Sequence, residues 1–294
     1  MIFDLKILEI ELLKKFNGIN NYFNPSHFNG RTIYRRESKF EGKLLVSDIV
    51  DDLDSVLLQH TVDDSYLWSY EDARFINENE IGVCCCKRDK NDIEKIINVE
   101  YKKYNLLTKE FTHFKTQNAH FEKHWQFCND TIIYHVNPYT ILDNYENVIF
   151  KKQINWDPWI EKYGKPGLST NVFEIDEKKF LLFHSYVTKN GISLKYYVGL
   201  LQLDVDLHPI GYYNRPLFNS TEYYDHILFI KYFNWKRKLD PTPTIADIIF
   251  PMNVIIDDVY INVYSGLNDC NAVCIKINLV EFVDKLKSET FTII

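Results

Sequence analysis

Charged and polar side chains stand in short clusters at roughly even intervals along the sequence. The clusters are Asn24-Pro25-Ser26 with Arg35-Arg36, Glu71-Asp72-Ala73-Arg74, Glu122-Lys123-His124-Trp125, Ser169-Thr170-Asn171 with His184-Ser185, and Phe250-Pro251 with Gly266-Leu267-Asn268-Asp269. Carboxylates can transfer protons, amide and guanidinium groups can hold hydroxyls through paired hydrogen bonds, and an aromatic ring can pack on a sugar ring. Such a set suits a carbohydrate ligand, provided that the fold gathers the clusters around one cavity.

Each of these residues also has an ordinary structural interpretation. Asn24 can cap a turn before proline, Asp72 can lie in a solvated turn, and Trp125 can be a core aromatic. Arg35 and Arg36 point to opposite faces of a strand, so at most one of them faces a cavity. The residue types alone leave both interpretations open.

The elements that must position these clusters are predicted from a repeat. Apolar strands flank polar turns centred on residues 29, 79, 129, 176 and 257, which are separated by 50, 50, 47 and 81 residues. Asn and Asp at these turns fit tight hairpins, and a repeat of about 50 residues is typical of a four-stranded propeller blade. We therefore predict an all-β fold, a five-bladed β-propeller with an insertion in the fourth repeat. An irregular β-sandwich is the alternative.

The predicted propeller is a single domain over residues 1–294, with blade repeats near 20–65, 66–115, 116–165, 166–245 and 246–280. Residues 279–289 form an amphipathic pattern that predicts a short C-terminal helix. Residues 41–60 fit either a helix or the outer strands of the first blade. Residues 236–244, which are basic and then proline-rich, predict a surface loop.

Composition limits the classes of function. Apolar residues make up 46% of the chain and aromatic residues 15%, which fits a β-rich globular core. The net charge of −7 argues against nucleic acid or an anionic membrane as the principal partner. The chain shows neither an apolar run of membrane-spanning length nor a secretory signal pattern, so we expect a cytoplasmic protein.

Metal and disulfide chemistry is not expected. His124, His135 and His184 match no zinc spacing, and we predict neither a metal site nor a cofactor. The consecutive cysteines 84–86 point alternately to opposite faces of a strand, which makes a shared metal or a mutual disulfide difficult. We therefore expect free thiols.

The ordered motifs resemble those of the family-130 glycoside phosphorylases and hydrolases. The carriers are Asn-Pro-Ser at residues 24–26, Glu-Asp-x-Arg at 71–74, Glu-Lys-x-Trp at 122–125, Phe-Pro at 250–251 and Gly-x-x-Asp at 266–269. The resemblance covers residues from about 20 to 278. It implies a five-bladed propeller enzyme that forms or cleaves β-mannosidic bonds, and it includes related β-mannosyltransferases.

The resemblance also implies roles for particular residues. Asp72 corresponds to the catalytic acid, which protonates the glycosidic oxygen through the 3-hydroxyl of the sugar. The mannose ring is expected to contact Asn24, Arg35 and Asp269. Arg74 is expected as a further sugar-binding residue on the same face as Asp72, because the two are two residues apart on a strand. Two further residues, Lys123 and His184, correspond to groups on the phosphate or leaving-group side.

Two departures from the family pattern bear on the reaction. The proline of the family's Glu-Asp-Pro-Arg motif is Ala73 here, and residues 134–139 lack the arginines that usually hold phosphate. We predict a phosphorylase or mannosyltransferase acting on mannose-containing oligosaccharides with phosphate, mannose-1-phosphate or GDP-mannose. A β-mannoside hydrolase, with Glu122 as the second carboxylate, and a non-catalytic glycan-binding propeller are the alternatives.

Overall fold

The chain folds as a five-bladed β-propeller of antiparallel sheets, as the repeat predicts. The structure is a computed structural model. It describes residues 7–14, 20–40, 44–92, 95–114, 124–189, 192–219, 248–267 and 271–294. Lys123, Glu122 and Asp269 lie outside the described residues, and so does the predicted loop over residues 236–244.

The blades follow one another along the chain. Blade 1 contains β2 (Asn21–Phe28), β3 (Arg31–Phe40), β4 (Leu44–Asp51) and β5 (Val56–Leu58). Blade 2 contains β6 (Thr61–Val62), β7 (Tyr66–Asn77), β8 (Glu80–Asp89), β9 (Ile96–Asn105) and β10 (Phe111–His113). Blade 3 contains β11 (Gln126–Cys128), β12 (Thr131–Val136), β13 (Tyr139–Asp143) and β14 (Val148–Lys152). The described part of the segment over residues 41–60 thus contributes outer strands to blade 1 rather than a helix.

The last two blades are completed by the ends of the described chain. Blade 4 contains β15 (Lys165–Ile175), β16 (Lys178–Lys189), β17 (Ile192–Leu203), β18 (Pro209–Tyr213) and β19 (Phe218–Asn219), and β23 (Phe291–Ile293) pairs with β18. Blade 5 contains β20 (Ile249–Ile256), β21 (Tyr260–Leu267) and β22 (Asn271–Asn278), and β1 (Ile7–Lys14) pairs with β22. Pairing of β1 with β22 joins the beginning of the chain to its last blade.

The turns of the repeat have the geometry that their residue types favour. Asn29, Asn129 and Asp176 have φ values of 47°, 51° and 49° in the left-handed region. Asn and Asp tolerate this region better than other non-glycine residues. Asn79 and Asp257 form their turns without it, so the predicted backbone holds at three of the five turns.

In the part of the chain that the structure describes, two helices connect or close the blades. The expected C-terminal helix is α2 (Leu279–Ser288), where the side chain of Asn278 accepts a hydrogen bond from the Glu281 N–H and Phe282 is buried. A second helix, α1 (Asp157–Tyr163), leads into blade 4 and was not predicted. Among the described residues, neither helix has the length and apolar character needed to cross a membrane.

The apolar core lies between neighbouring blades. The buried cysteines of β8 show how alternate residues serve two interfaces: Cys85 packs toward Ile33 of blade 1, whereas Cys84 and Cys86 pack toward Trp125 of blade 3. All three residues are thiols outside any disulfide. Inter-blade packing of this kind holds the inner strands around a common axis.

Candidate active site

Local bulges in the inner strands turn polar side chains toward the axis. The register of β2 against β3 shifts between Phe23 and Ser26, and that of β7 against β8 shifts between Glu71 and Arg74. Inside these bulges, Asn24 and Asp72 both have a φ of 50°. A bulge re-aims the side chains next to it, and such bulges recur beside active sites.

All five blades contribute to one axial cavity of about 450 Å³. The wall includes Asn24 and Arg35 of blade 1, Asp72 of blade 2, His124 just before blade 3, His184 of blade 4 and Phe250 of blade 5. The residues that the sequence analysis expected to converge, as far as they are described, therefore meet here, with the exception of Arg74.

Asp72 lies at the centre of the polar side of the cavity and is buried. Its Oδ1 accepts a hydrogen bond of 2.5 Å from the Asn24 side-chain amide. The Arg35 Nη1 lies 3.8 Å from the same oxygen, and the His124 Nδ1 lies 4.0 Å from Oδ2. One carboxylate is thus faced by an amide, a guanidinium and an imidazole from three parts of the propeller.

Arg35 is held by a network of its own. Its Nε donates to the Ser47 hydroxyl at 2.9 Å, and its Nη2 lies 2.8 Å from Glu37 and 3.1 Å from Glu71. Glu71 also lies 3.7 Å from Arg88. The neighbouring Arg36 points to the other face of β3, as strand alternation predicts.

Glu71 and His124 belong to the polar clusters of the sequence but were given no role in the site. In a regular strand Glu71 and Asp72 would face opposite ways, but the bulge lets both line the cavity. His124 has a φ of 67°, and its ring lies 5.6 Å from that of His184. An Asp or Asn flanked by polar residues in the middle of an inner strand is the signal that could have indicated a bulge.

His184 of blade 4 lines the cavity as a neutral imidazole. Its Nδ1 lies 2.9 Å from the Ser169 hydroxyl and 3.1 Å from the Leu168 carbonyl, which can only accept, so we place the ring proton on Nδ1. Burial lowers the pKa of His184 to about 4. Its Nε2 lies against Gly167, and a Cβ at that glycine would lie 2.9 Å from the Nε2 atom.

The cavity wall also carries residues that the sequence analysis missed. Lys165 is exposed at the first residue of β15, and Tyr186 and Tyr196 stack on each other with ring centroids 5.3 Å apart. Lys165 begins β15, whereas Tyr186 and Tyr196 lie within β16 and β17, and no motif marks the three residues in the sequence. Only the assembled axis brings them to the cavity.

Arg74 has a different environment from the one expected. It does not line the cavity; its buried guanidinium donates hydrogen bonds to the carbonyls of Ser169 and Met252. Burial lowers its pKa from the ordinary arginine value. These contacts link blades 2, 4 and 5. The sugar-binding role of Arg74 stays a prediction, and its side chain does not line the cavity. Trp125 is fully buried between Tyr101 and Tyr134, so its place is the core.

Among the described residues, a group with metal-ligand spacing lies away from the cavity. Asp204, Asp206 and His208 in the turn before β18 have ligand atoms within 4.8 Å of one another. Asp204 already accepts hydrogen bonds from the backbone N–H groups of Asp206 and His208. The three residues belong to an exposed hairpin turn, where such acidic groups are common without an ion.

Comparison with known proteins gives structural matches. No protein-family model and no curated protein matches the sequence. MPT-1, a GDP-Man-dependent mannosyltransferase from Leishmania mexicana, has a TM-score of 0.61 at 14% identity, with 93% of this chain and 91% of that chain covered. A beta-1,2-mannobiose phosphorylase from Listeria innocua has a TM-score of 0.59 at 11% identity, with 96% and 100% covered. MPT-4, a mannose phosphorylase from Leishmania mexicana, has a TM-score of 0.56 at 15% identity, with 98% and 92% covered.

These matches extend over nearly the whole of each chain. At 11–15% identity they establish a shared fold. The five-bladed propeller that the resemblance to family-130 enzymes implies is therefore confirmed, and this chain is structurally similar to mannoside phosphorylases and a mannosyltransferase.

Proposed function

We propose that this chain forms or cleaves β-mannosidic bonds in the axial cavity, with Asp72 as the acid or base. The observation that carries the proposal is the position of the Asp72 carboxylate in the cavity wall. Its Oδ1 lies 2.5 Å from the Asn24 amide nitrogen and 3.8 Å from the Arg35 Nη1. These are the residues that the motif resemblance assigns to the acid and to mannose binding. The mannosyltransferase and phosphorylase activities of the similar structures support the same chemistry.

The chemical step follows from this arrangement. In cleavage, Asp72 gives its proton to the glycosidic oxygen, through the 3-hydroxyl of the sugar, while the bond from that oxygen to the anomeric carbon breaks. A nucleophile on the opposite face forms the new bond to the anomeric carbon. In synthesis, the acceptor hydroxyl loses its proton to the Asp72 carboxylate while its oxygen attacks the anomeric carbon of an activated mannose. The bond from that carbon to the phosphate or GDP group breaks, and that group leaves as an anion.

The cations of the cavity bear on the choice of nucleophile. Phosphate is usually held by bidentate arginine contacts. Arg35 is already bound to Glu37 and Glu71, and among the described wall residues Lys165 is a cation without an ion-pair partner. A single lysine is a weaker anion site than an arginine pair. The leaving group of an activated mannose is itself a phosphate, so this weak site does not separate transfer from phosphorolysis, and both belong to the proposal.

Hydrolysis is the second candidate, and Glu71 is the observation that favours it. An inverting hydrolase needs a second carboxylate to activate water. Glu71 lines the cavity beside Asp72, a position that the sequence analysis had given only to Glu122. However, Glu71 forms ion pairs with Arg35 and Arg88 at 3.1 and 3.7 Å. Two neighbouring guanidinium groups stabilise its carboxylate, which makes Glu71 a weaker base.

A comparison of donors tests the proposal. The purified protein is incubated with β-1,2-mannobiose in water, with β-1,2-mannobiose and phosphate, with mannose-1-phosphate and mannose, and with GDP-mannose and mannose. Products are separated by chromatography and identified by mass spectrometry. We expect a new mannosidic product from GDP-mannose or mannose-1-phosphate. Release of mannose in water alone would support the hydrolase, and binding of mannosides without turnover would support a glycan-binding protein.

A further inference from the structure

Arg35 is surrounded by more negative charge than one guanidinium needs. Three carboxylates face it: Glu37 at 2.8 Å, Glu71 at 3.1 Å and Asp72 at 3.8 Å. The first two distances are within hydrogen-bonding range, and the third is not. Arg35 therefore makes its close ion pairs with residues other than the proposed acid.

Glu37 is the member of this group that the substrate cannot reach. It lies on β3, is 9% exposed and does not line the cavity. Its Oε1 contacts the same Arg35 Nη2 that contacts Glu71, while Ser47 holds the Nε end. The guanidinium is thus fixed at both ends on the side away from Asp72.

The geometry has a consequence for the charge state of Asp72. A close, uncompensated guanidinium favours the ionised form of a carboxyl group, and an acid catalyst must carry a proton. We propose that Glu37 is a positioning residue that neutralises Arg35 and holds it out of a direct ion pair with Asp72, so that Asp72 can exchange a proton with the substrate. This inference rests on the proposed role of Asp72 as acid or base.

Other groups also act on Asp72, and replacing Glu37 alters the charge of none of them. Within the described part of the chain, the charged or titratable residues that face it or act on it are Arg35 of β3, Glu71 of β7, Arg74 of β7, Tyr101 of β9, His124 before β11 and His184 of β16. Glu37 differs from all of them because its effect on Asp72 is transmitted through Arg35.

The test is Glu37→Gln, which keeps an oxygen that accepts from Arg35 but removes the charge. We would measure the pH–rate profile for cleavage of β-1,2-mannobiose, with phosphate if it is required. The decline of the rate at high pH should begin about one pH unit lower than in the wild type. KM at the acidic plateau should change less than twofold. Glu37→Asp should restore the wild-type profile. Glu174→Gln, which removes an exposed and distant charge, is the matched control and should leave the profile unchanged.

A second measurement does not depend on activity. With carboxyl-labelled aspartate, the NMR signal of Asp72 is assigned by its loss in Asp72→Asn and titrated in the free proteins. The midpoint should fall in Glu37→Gln and stay in place in Glu174→Gln; an unchanged midpoint in Glu37→Gln overturns the inference. If Glu37→Gln does not fold, Ser47→Ala decides, since it frees the guanidinium at the other end and should shift the midpoint in the same direction. Absence of mannoside turnover by the wild type would contradict the proposed function. The titration of Asp72 would still test the effect of Glu37, because it is measured on the free proteins and needs no turnover.

Discussion

Gly266 of β21 in blade 5 lies directly against Asn24 of the candidate active site. A Cβ at this position would lie 2.0 Å from the Asn24 Oδ1 and 3.1 Å from the Asn24 backbone nitrogen. Because Cβ contacts under 3.0 Å essentially do not occur, Gly266→Ala must displace the Asn24 side chain by about 1 Å. The displaced atom is the end of a side chain, so the fold should tolerate the change.

The effect on activity should be much larger than the effect on stability. The displaced amide is the group that donates to Asp72 at 2.5 Å. A misplacement of about 1 Å at a catalytic centre can lower the rate about 100-fold, which corresponds to about 2.7 kcal/mol in the activation free energy. The free energy of unfolding should fall by less than about 1 kcal/mol, because Gly266 does not have a positive φ and alanine fits its backbone.

A double-mutant cycle tests the cause of this loss. We would measure kcat/KM for mannosyl transfer in the wild type, Gly266→Ala, Asn24→Ala and the double variant. Asn24→Ala removes the atom with which the new methyl group collides, so Gly266→Ala should cost little in that background. A full loss in both backgrounds would place the collision elsewhere, and wild-type activity of Gly266→Ala would refute the packing argument.

Two further predictions concern buried charged and titratable groups. Arg74→Ala should lower the free energy of unfolding by about 3–5 kcal/mol in a urea titration, because the carbonyls of Ser169 and Met252 lose a charged donor; a loss under about 1 kcal/mol would contradict its role in linking blades. The pKa of His184 is lowered to about 4, so the unfolded chain binds a proton that the folded protein excludes between about pH 6.5 and 4. The wild type should therefore lose about 3 kcal/mol of stability as the pH falls through this window. His184→Gln should remove that dependence, and an unchanged slope in the variant would show that another group causes it.

The fold was predictable because the turns of its repeat are marked by residue types that favour tight hairpins. Asn29 and Asn129 begin tight hairpins at equal steps, and their tolerance of a left-handed backbone is a property of the residue itself. Completion of blade 4 by β23 and of blade 5 by β1 was not predictable in this way. Both pairings join distant parts of the chain, and a single strand carries no local signal of its partner.

The site was only partly predictable because bulges break the alternation on which the prediction depended. Arg74 was expected to share the face of Asp72 since the two are two residues apart. The bulge between Glu71 and Arg74 interrupts the alternation of side chains along β7, so residues two apart no longer share a face. Glu71 therefore reaches the cavity, and Arg74 instead contacts blades 4 and 5. Likewise, Lys165 and Tyr186 acquire a place in the cavity only when blade 4 closes around the axis.

The most direct measurement of the central proposal is the turnover of Asp72→Asn beside its affinity for mannoside. Asparagine keeps the size of the side chain but can neither give nor take the proton. We predict that turnover falls at least about 1,000-fold, the upper part of the range for general acid–base catalysis, while calorimetry still detects binding of β-1,2-mannobiose. Turnover by Asp72→Asn at the wild-type rate would contradict the assignment of Asp72 and the reaction built on it.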